Sequence, residues 1–230
     1  PTAITTSTSV TNATCNGDNN GSINLTVSGG TSPYTYAWDN GAGSNEDPSN
    51  LTANTYNVTV TDNNGCTSTS SSTITEPAVL VAASVVDSNV TCNGTANGGA
   101  TASATGGTAP YTILWDDPLA QTTFTAIGLC AGTYTAVVTD NNLCDTTITF
   151  IITEPDELIV DITVLDSSCF GDCNGSAFVT VTGGTAPVSY EWFDAATDIP
   201  LGVDNDTITG LCAGDYYAIV TDDNGCTTQT

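Results

Sequence analysis

Nine cysteines are the side chains in this chain with the widest chemistry open to them, and most fall at recurring places. Cys15, Cys92 and Cys169 each open a short polar loop, as in Cys15-Asn16-Gly17 and Cys92-Asn93-Gly94. Cys66, Cys144 and Cys226 each close a turn, Thr61-Asp62-Asn63-Asn64-Gly65-Cys66 returning at 139–144 and at 221–226. Cys130, Cys173 and Cys212 complete the set. Cysteines held at fixed places point to disulfides and an oxidising compartment rather than to reduced thiols. Zinc is the weaker reading of Cys169-Phe170-Gly171-Asp172-Cys173, because structural zinc takes paired Cys-x2–4-Cys knuckles and none recurs. The turns offer a second chemistry. Asp62, Asp140, Asp222 and Asp223 lie among Asn and Gly, a supply of hard oxygen ligands suited to Ca²⁺. None of these turns fits the twelve-residue EF-hand loop, and Asn-Gly is also what a tight hairpin selects for positive φ. The hairpin is the favoured reading. Ca²⁺ is the one cofactor left open, with less weight in folding than the disulfides.

Other chemistry is closed off by composition. The 230 residues include no Lys, no Arg and no His. Without them there is no Ser–His or Cys–His pair, no Schiff base and no arginine clamp. Only a glycosidase-type carboxylate pair stays available, and the Asp residues recur in turns, where solvated Asp normally sits. A non-enzymatic role is therefore expected. The 25 Asp and Glu give a net charge of −25 that no side chain can balance. Nucleic acid is excluded as a partner, since phosphate contacts need cations. An anionic membrane surface is disfavoured, and no apolar run approaches the ~20 residues of a spanning helix.

The elements that position these residues come three times. Cys15, Cys92 and Cys169 are each 77 residues apart. Gly29-Gly30-Thr31-Ser32-Pro33-Tyr34 returns at 106–111 and at 183–188, and Glu76-Pro77 returns as Glu154-Pro155. A repeat this long is a small domain, so the division is 1–77, 78–155 and 156–230, with the last strand of the third repeat missing. Pro1 takes the place that Pro77 and Pro155 hold. There is no Met and no signal peptide, so an internal piece of a longer protein is expected. Apolar residues alternate with period two: Ile23, Leu25, Val27; Tyr34, Tyr36, Trp38; Tyr56, Val58, Val60. The pattern continues in Tyr111, Ile113, Trp115 and Tyr134, Ala136, Val138, and again in Val188, Tyr190, Trp192 and Tyr216, Ala218, Val220. Such alternation, broken by turn signals every 8–12 residues, predicts an all-β fold of tandem immunoglobulin-like sandwiches of about seven strands each. Trp38, Trp115 and Trp192 take the place of the buried sandwich Trp. Tyr56, Tyr134 and Tyr216 take that of a tyrosine corner. The alternation assigns these aromatics to the core, not to a sugar-stacking platform.

The frame Cys-Asn-Gly, Gly-Gly-Thr-x-Pro-Tyr-x-Tyr-x-Trp, Leu-x-Ala-Gly-x-Tyr, Thr-Asp-x-Asn-Gly-Cys and Ile-Thr-Glu-Pro resembles the SprB repeat, and is similar to PKD-type immunoglobulin-like domains. The resemblance runs through nearly the whole chain. Leu143 departs from it at the turn Gly and Val188 at the Tyr. The resemblance implies a stalk or spacer segment of a large secreted surface adhesin of Bacteroidota, carried by type IX secretion, in some cases serving gliding motility. Its partners would be neighbouring repeats of the same longer chain, with extracellular polysaccharide or surfaces reached through other domains. Repeats joined through Thr-Glu-Pro with almost no flexible linker would form an elongated, semi-rigid rod. Within the frame the cysteines pair as Cys15 with Cys66, Cys92 with Cys144, and Cys169 with Cys226, with Cys173–Cys212 as a second bridge in the third repeat. Cys130 aligns with Cys212 but faces Ala96 where Cys173 would stand. It is left unpaired, either buried or joined to another chain, burial being expected. Bacteroidota O-glycosylation of Asp-(Ser/Thr)-apolar sequences would fall on Thr207 and, more loosely, Thr146. Two rivals remain: an array whose beads bind glycan or Ca²⁺ directly, and a filament assembled through exposed strand edges.

Overall fold

A computed structural model of the chain describes residues 2–169 and 171–230. Pro1 and Phe170, both named above, lie outside the described residues. The described residues form nineteen β-strands and no helix. They fall into two compact units. The first comprises Pro1–Ala83, Ser103–Leu114 and Ala136–Ile148, and the second Ser84–Ala102, Trp115–Thr135 and Thr149–Thr230. The first unit holds the span of the first repeat, the second that of the third, and the middle repeat gives residues to both.

In the first unit, β1 (Thr5–Thr11), β2 (Gly21–Ser28) and β4 (Ser49–Leu51) make one antiparallel sheet in the order β1-β2-β4. A second sheet, β3-β5-β6, holds β3 (Thr35–Trp38), β5 (Asn54–Thr61) and β6 (Thr67–Ile74). The two enclose a core of Ile23, Leu25, Trp38, Leu51, Tyr56, Val58, Val60 and Ile74, all buried. This is the sandwich that the alternation predicts: side chains on a strand point to opposite faces with period two, and one face of each sheet is apolar. The count is six strands rather than about seven. The stretch between Trp38 and Ser49 contains Gly41, Gly43 and Pro48, and Asn40 there has φ 50, so turn residues occupy the place of a further strand.

The second unit contains the third repeat. Here β13 (Ile159–Leu165), β14 (Gly175–Thr182) and β17 (Thr207–Leu211) form one sheet. The other runs β16-β15-β18-β19, from β15 (Ser189–Asp194), β16 (Ile199–Pro200), β18 (Tyr216–Thr221) and β19 (Thr227–Gln229). Ala177, Val179, Trp192, Ile208, Leu211, Ala218 and Val220 are buried between them. The final strand is therefore present but short. β19 starts directly after Cys226, as β6 does after Cys66, and pairs with β18.

The middle repeat shows the same succession: β7 (Val81–Ser88), β8 (Gly98–Thr105), β9 (Thr112–Trp115), β10 (Thr125–Leu129), β11 (Gly132–Thr139) and β12 (Asp145–Ile152). In the second unit, β10 pairs with β8, and Trp115 meets Phe150 edge-on at 5.4 Å between ring centroids. All three Trp are buried, and each indole N–H donates to a backbone carbonyl: Trp38 to Asn45, Trp115 to Thr123 and Trp192 to Asn205. The Tyr hydroxyls make the corner, each donating to the carbonyl four residues back: Tyr56 to Thr52, Tyr134 to Cys130 and Tyr216 to Cys212. A buried indole or phenol needs such a partner.

Candidate functional site: the cysteine loops and turns

Each of the two units contains one place where a loop of one repeat, the Glu-Pro segment, and two turns of the next repeat come together. Its construction starts with an aspartate. In the first unit the Asp140 carboxylate accepts the backbone N–H of Thr108 on one oxygen (2.7 Å) and those of Asn142 and Cys144 on the other (2.8 and 3.0 Å). In the second unit Asp222 accepts from Thr185, Asn224 and Cys226 in the same way. Asp62 accepts from Thr31, Asn64 and Cys66. All three carboxylates are buried. Burial pushes their pKa values up. The backbone donors pull them down more strongly, so each is held below the ordinary Asp range. The aspartate thus staples the cysteine turn to the Gly-Gly-Thr turn of its own repeat. The carboxylates proposed for Ca²⁺ have this structural task, while Asp223 is exposed and its backbone N–H donates to Thr185. Among the described residues, no three Asp, Glu, Cys or His side chains converge as a metal site.

The Gly-Gly turn grips the chain as it enters the repeat. Gly107 N–H donates to the Ala78 carbonyl and Gly184 N–H to that of Asp156, each the first residue after a Glu-Pro. At Gly106 the approach is so close that a Cβ would lie 1.9 Å from the Val79 carbonyl oxygen, and φ is +73. Only glycine fits there.

From the other side, the Cys-Asn-Gly loop holds the same Glu-Pro. Asn16 Nδ2 donates to Glu76 Oε1 and to the Pro77 carbonyl, both at 3.0 Å, and Gly17 N–H donates to Glu76 Oε2 at 2.7 Å. Asn93 donates to the Pro155 carbonyl and Gly94 N–H to Glu154. Glu-Pro is therefore gripped by the repeat it leaves and, through the residue that follows it, by the repeat it enters.

The cysteines complete the joint. Cys15 is bonded to Cys144, and Cys92 to Cys226, with sequence separations of 129 and 134. Beside each bond an asparagine amide crosses the same gap. Asn142 Nδ2 donates to the Thr14 carbonyl at 2.8 Å, and Asn224 Nδ2 to the Thr91 carbonyl at 3.0 Å. The bridges expected from the frame, Cys15–Cys66, Cys92–Cys144 and Cys169–Cys226, are corrected: the bonds run between consecutive repeats, not within them. The reason is visible in the first repeat. The Cys15 loop lies at the far end of β6, where Ala13 N–H donates to the Thr75 carbonyl. Cys66 lies at the near end of that strand. Eight residues of strand put them on the order of 25 Å apart, whereas disulfide-bonded Cα atoms lie within ~7 Å. Cys66 and Cys169 are free and exposed. The Cys173–Cys212 bridge is formed as expected. Cys130 is free, but exposed rather than buried, because it follows β10 on an outer turn and only its carbonyl is engaged, by Tyr134. Thr207 is exposed on β17 with its hydroxyl donating to Asp206, and Thr146 is half-buried on β12.

The model of the SprB repeat matches residues 7–43, 84–120 and 162–197. The chain carries three SprB repeats. In the first, the matched stretch runs from within β1 to just beyond β3, so it includes the Cys-Asn-Gly loop and the Gly-Gly-Thr turn, while the cysteine turn lies outside it. No curated protein matches the chain. Among solved structures, the chain is similar to three N-terminal domains of the outer capsid protein Hoc of bacteriophage RB49, at 14% identity and TM-score 0.45, over 99% of this chain and 95% of that one. It is also similar to a tetra-tandem repeat from the extending region of a large adhesion protein, at 14% identity and TM-score 0.27, over 100% and 73%. A third is domains 4–9 of surface layer protein SbsC, at 14% identity and TM-score 0.28, over 97% and 46%. The SprB repeats of this chain thus share one joint, built twice: an aspartate-stapled turn, a doubly held Glu-Pro and a disulfide from one repeat to the next.

Proposed function

We propose that these SprB repeats are a spacer segment of an extracellular surface adhesin, built to carry tension without releasing chain. Gliding motility and type IX export are the setting that the SprB resemblance suggests. The observation that carries the reading is the overlap of the two inter-repeat disulfides. The loop closed by Cys15–Cys144 and that closed by Cys92–Cys226 share residues 92–144. In the oxidised chain, tension enters at Cys15, crosses to Cys144, runs back to Cys92, crosses to Cys226 and leaves. The 52 residues from Cys92 to Cys144 are the shortest of three parallel paths and limit the extension. Bridges within each repeat would leave the linkers between repeats in series with the load. Exposure outside a cell suits a chain with no Lys or Arg, which offers no cleavage site to trypsin-like proteases.

Single-molecule stretching of the chain between its two ends tests this. Fully extended, about 70 residues lie on the tension path when both bonds are intact, giving about 250 Å, against about 800 Å for all residues after reduction. A change of this size on adding reductant is the expected result. An oxidised chain that releases most of its contour length would refute the tension-carrying role.

A further inference from the structure

Two halves of the same joint stand open in this chain. At one, Asp62 staples the Cys66 turn to Thr31 with the same three N–H donors found at Asp140 and Asp222. Asn64 is also in place. Its Nδ2 donates to Thr31 Oγ1 at 2.9 Å, just as Asn142 donates to Thr108 Oγ1 and Asn224 to Thr185 Oγ1. In the two closed joints this amide has a second partner, the carbonyl of Thr14 or Thr91. Among the described residues, Thr31 Oγ1 is the one acceptor Asn64 Nδ2 has. Cys66 beside it is exposed and free.

At the other open half, Ser168 and Asn174 flank Cys169 as their counterparts flank the two bonded cysteines. Ser168 N–H donates to Asn174 Oδ1 and Asn174 Nδ2 donates back to Ser168 Oγ. Thr14 with Asn20, and Thr91 with Asn97, make the same reciprocal pair. It is the carbonyl of this Thr that receives the crossing asparagine in the closed joints. Cys169 is exposed and free. The two halves are reciprocal: one presents a thiol and an amide donor, the other a thiol and a carbonyl acceptor.

We infer that Cys66 and Cys169 are the open rungs of a head-to-tail disulfide ladder, each taking the complementary half of a further SprB repeat, and that a second copy of this chain can supply either half, its Cys169 loop docking on the Cys66 turn. The interface is heterologous, so it propagates rather than closing on itself as a two-fold dimer does. The Asn64 amide would donate to the Ser168 carbonyl of the other copy, as Asn142 does to Thr14. The bond forms by thiol–disulfide exchange with a small disulfide oxidant such as oxidised glutathione. The two thiols lose two protons and two electrons to the oxidant, one S–S bond forms between the chains, and one S–S bond of glutathione breaks to give two reduced glutathiones. The inference uses the joint described above, but not its tension-carrying role.

Complementary mixing tests it. In a Cys130→Ser background, which removes the remaining exposed thiol, Cys66→Ser and Cys169→Ser chains are oxidised with a glutathione buffer separately and together, then run without reductant. One variant is isotopically labelled. The expected result is a covalent dimer in the mixture, joining Cys169 of the Cys66→Ser chain to Cys66 of the Cys169→Ser chain, and monomers in each variant alone. Asn64→Ala in the Cys169→Ser chain should lower the dimer yield with both thiols present. Like-with-like dimers in the separate samples would mean random surface oxidation and would overturn the inference, as would a mixture that stays monomeric.

Discussion

At the residue scale the controlling group is an aspartate used as a backbone acceptor. Asp62, Asp140 and Asp222 are buried anions in a chain with no cationic side chain to compensate them, and each carries three N–H donors instead. The sign of the pH dependence follows. A carboxylate whose folded pKa is depressed stabilises the fold above the unfolded Asp value of ~3.9, and that stabilisation is lost as pH falls through the folded value. The exposed carboxylates act in the opposite direction. With net charge −25, acid reduces the repulsion among them. Thermal melts of the oxidised chain should hold or rise from pH 7 to about 4.5 and fall steeply below about 4. A steady fall beginning at pH 7 would mean that the staples do not govern acid stability.

At the element scale the joint depends on turns brought too close for a side chain. Two glycines with nearly the same backbone separate conformation from crowding. Gly94 has φ +74 and nothing within 4 Å of where a Cβ would stand, whereas Gly106 has φ +73 with the Val79 carbonyl oxygen at 1.9 Å. Gly94→Ala should cost about 1 kcal/mol for its positive φ. Gly106→Ala should cost that and on the order of 2 kcal/mol more, since backbone on both sides must move. Equal destabilisation of the two by denaturant unfolding would remove the close approach from the account. Much of this scale was legible in the sequence. Period-two alternation at Ile23–Leu25 and Val58–Val60 fixes which face is buried, because a one-residue slip would expose the whole set. The turn glycines and the corner tyrosines declare themselves by residue type. The partner of each cysteine does not. The eight-residue strand between Cys66 and Thr75 is Ser and Thr except for Ile74, so no apolar alternation declares it, yet it is what separates the two ends of a repeat. What the sequence leaves unsaid is that the Cys15 loop folds against the Glu76-Pro77 end, a contact of two segments 60 residues apart.

At the scale of the whole chain, the repeats are coupled covalently through their neighbours. A string of independent beads would fold and yield one at a time. Overlapping disulfides instead place residues 92–144 within both closed loops, so with both bonds intact that one segment sets how far the whole chain can be drawn out. The spacer proposal and the open-rung inference both begin from this connectivity, and the first depends on it entirely. The most direct test is a disulfide map of the unreduced chain by mass spectrometry, with cleavage at Asp, Glu or aromatic residues because trypsin has nothing to cut. The expected peptides join Cys15 to Cys144, Cys92 to Cys226 and Cys173 to Cys212, with Cys130 alkylatable before reduction. Peptides joining Cys15 to Cys66, or Cys92 to Cys144, would return the bridges to the interior of each repeat and contradict the account.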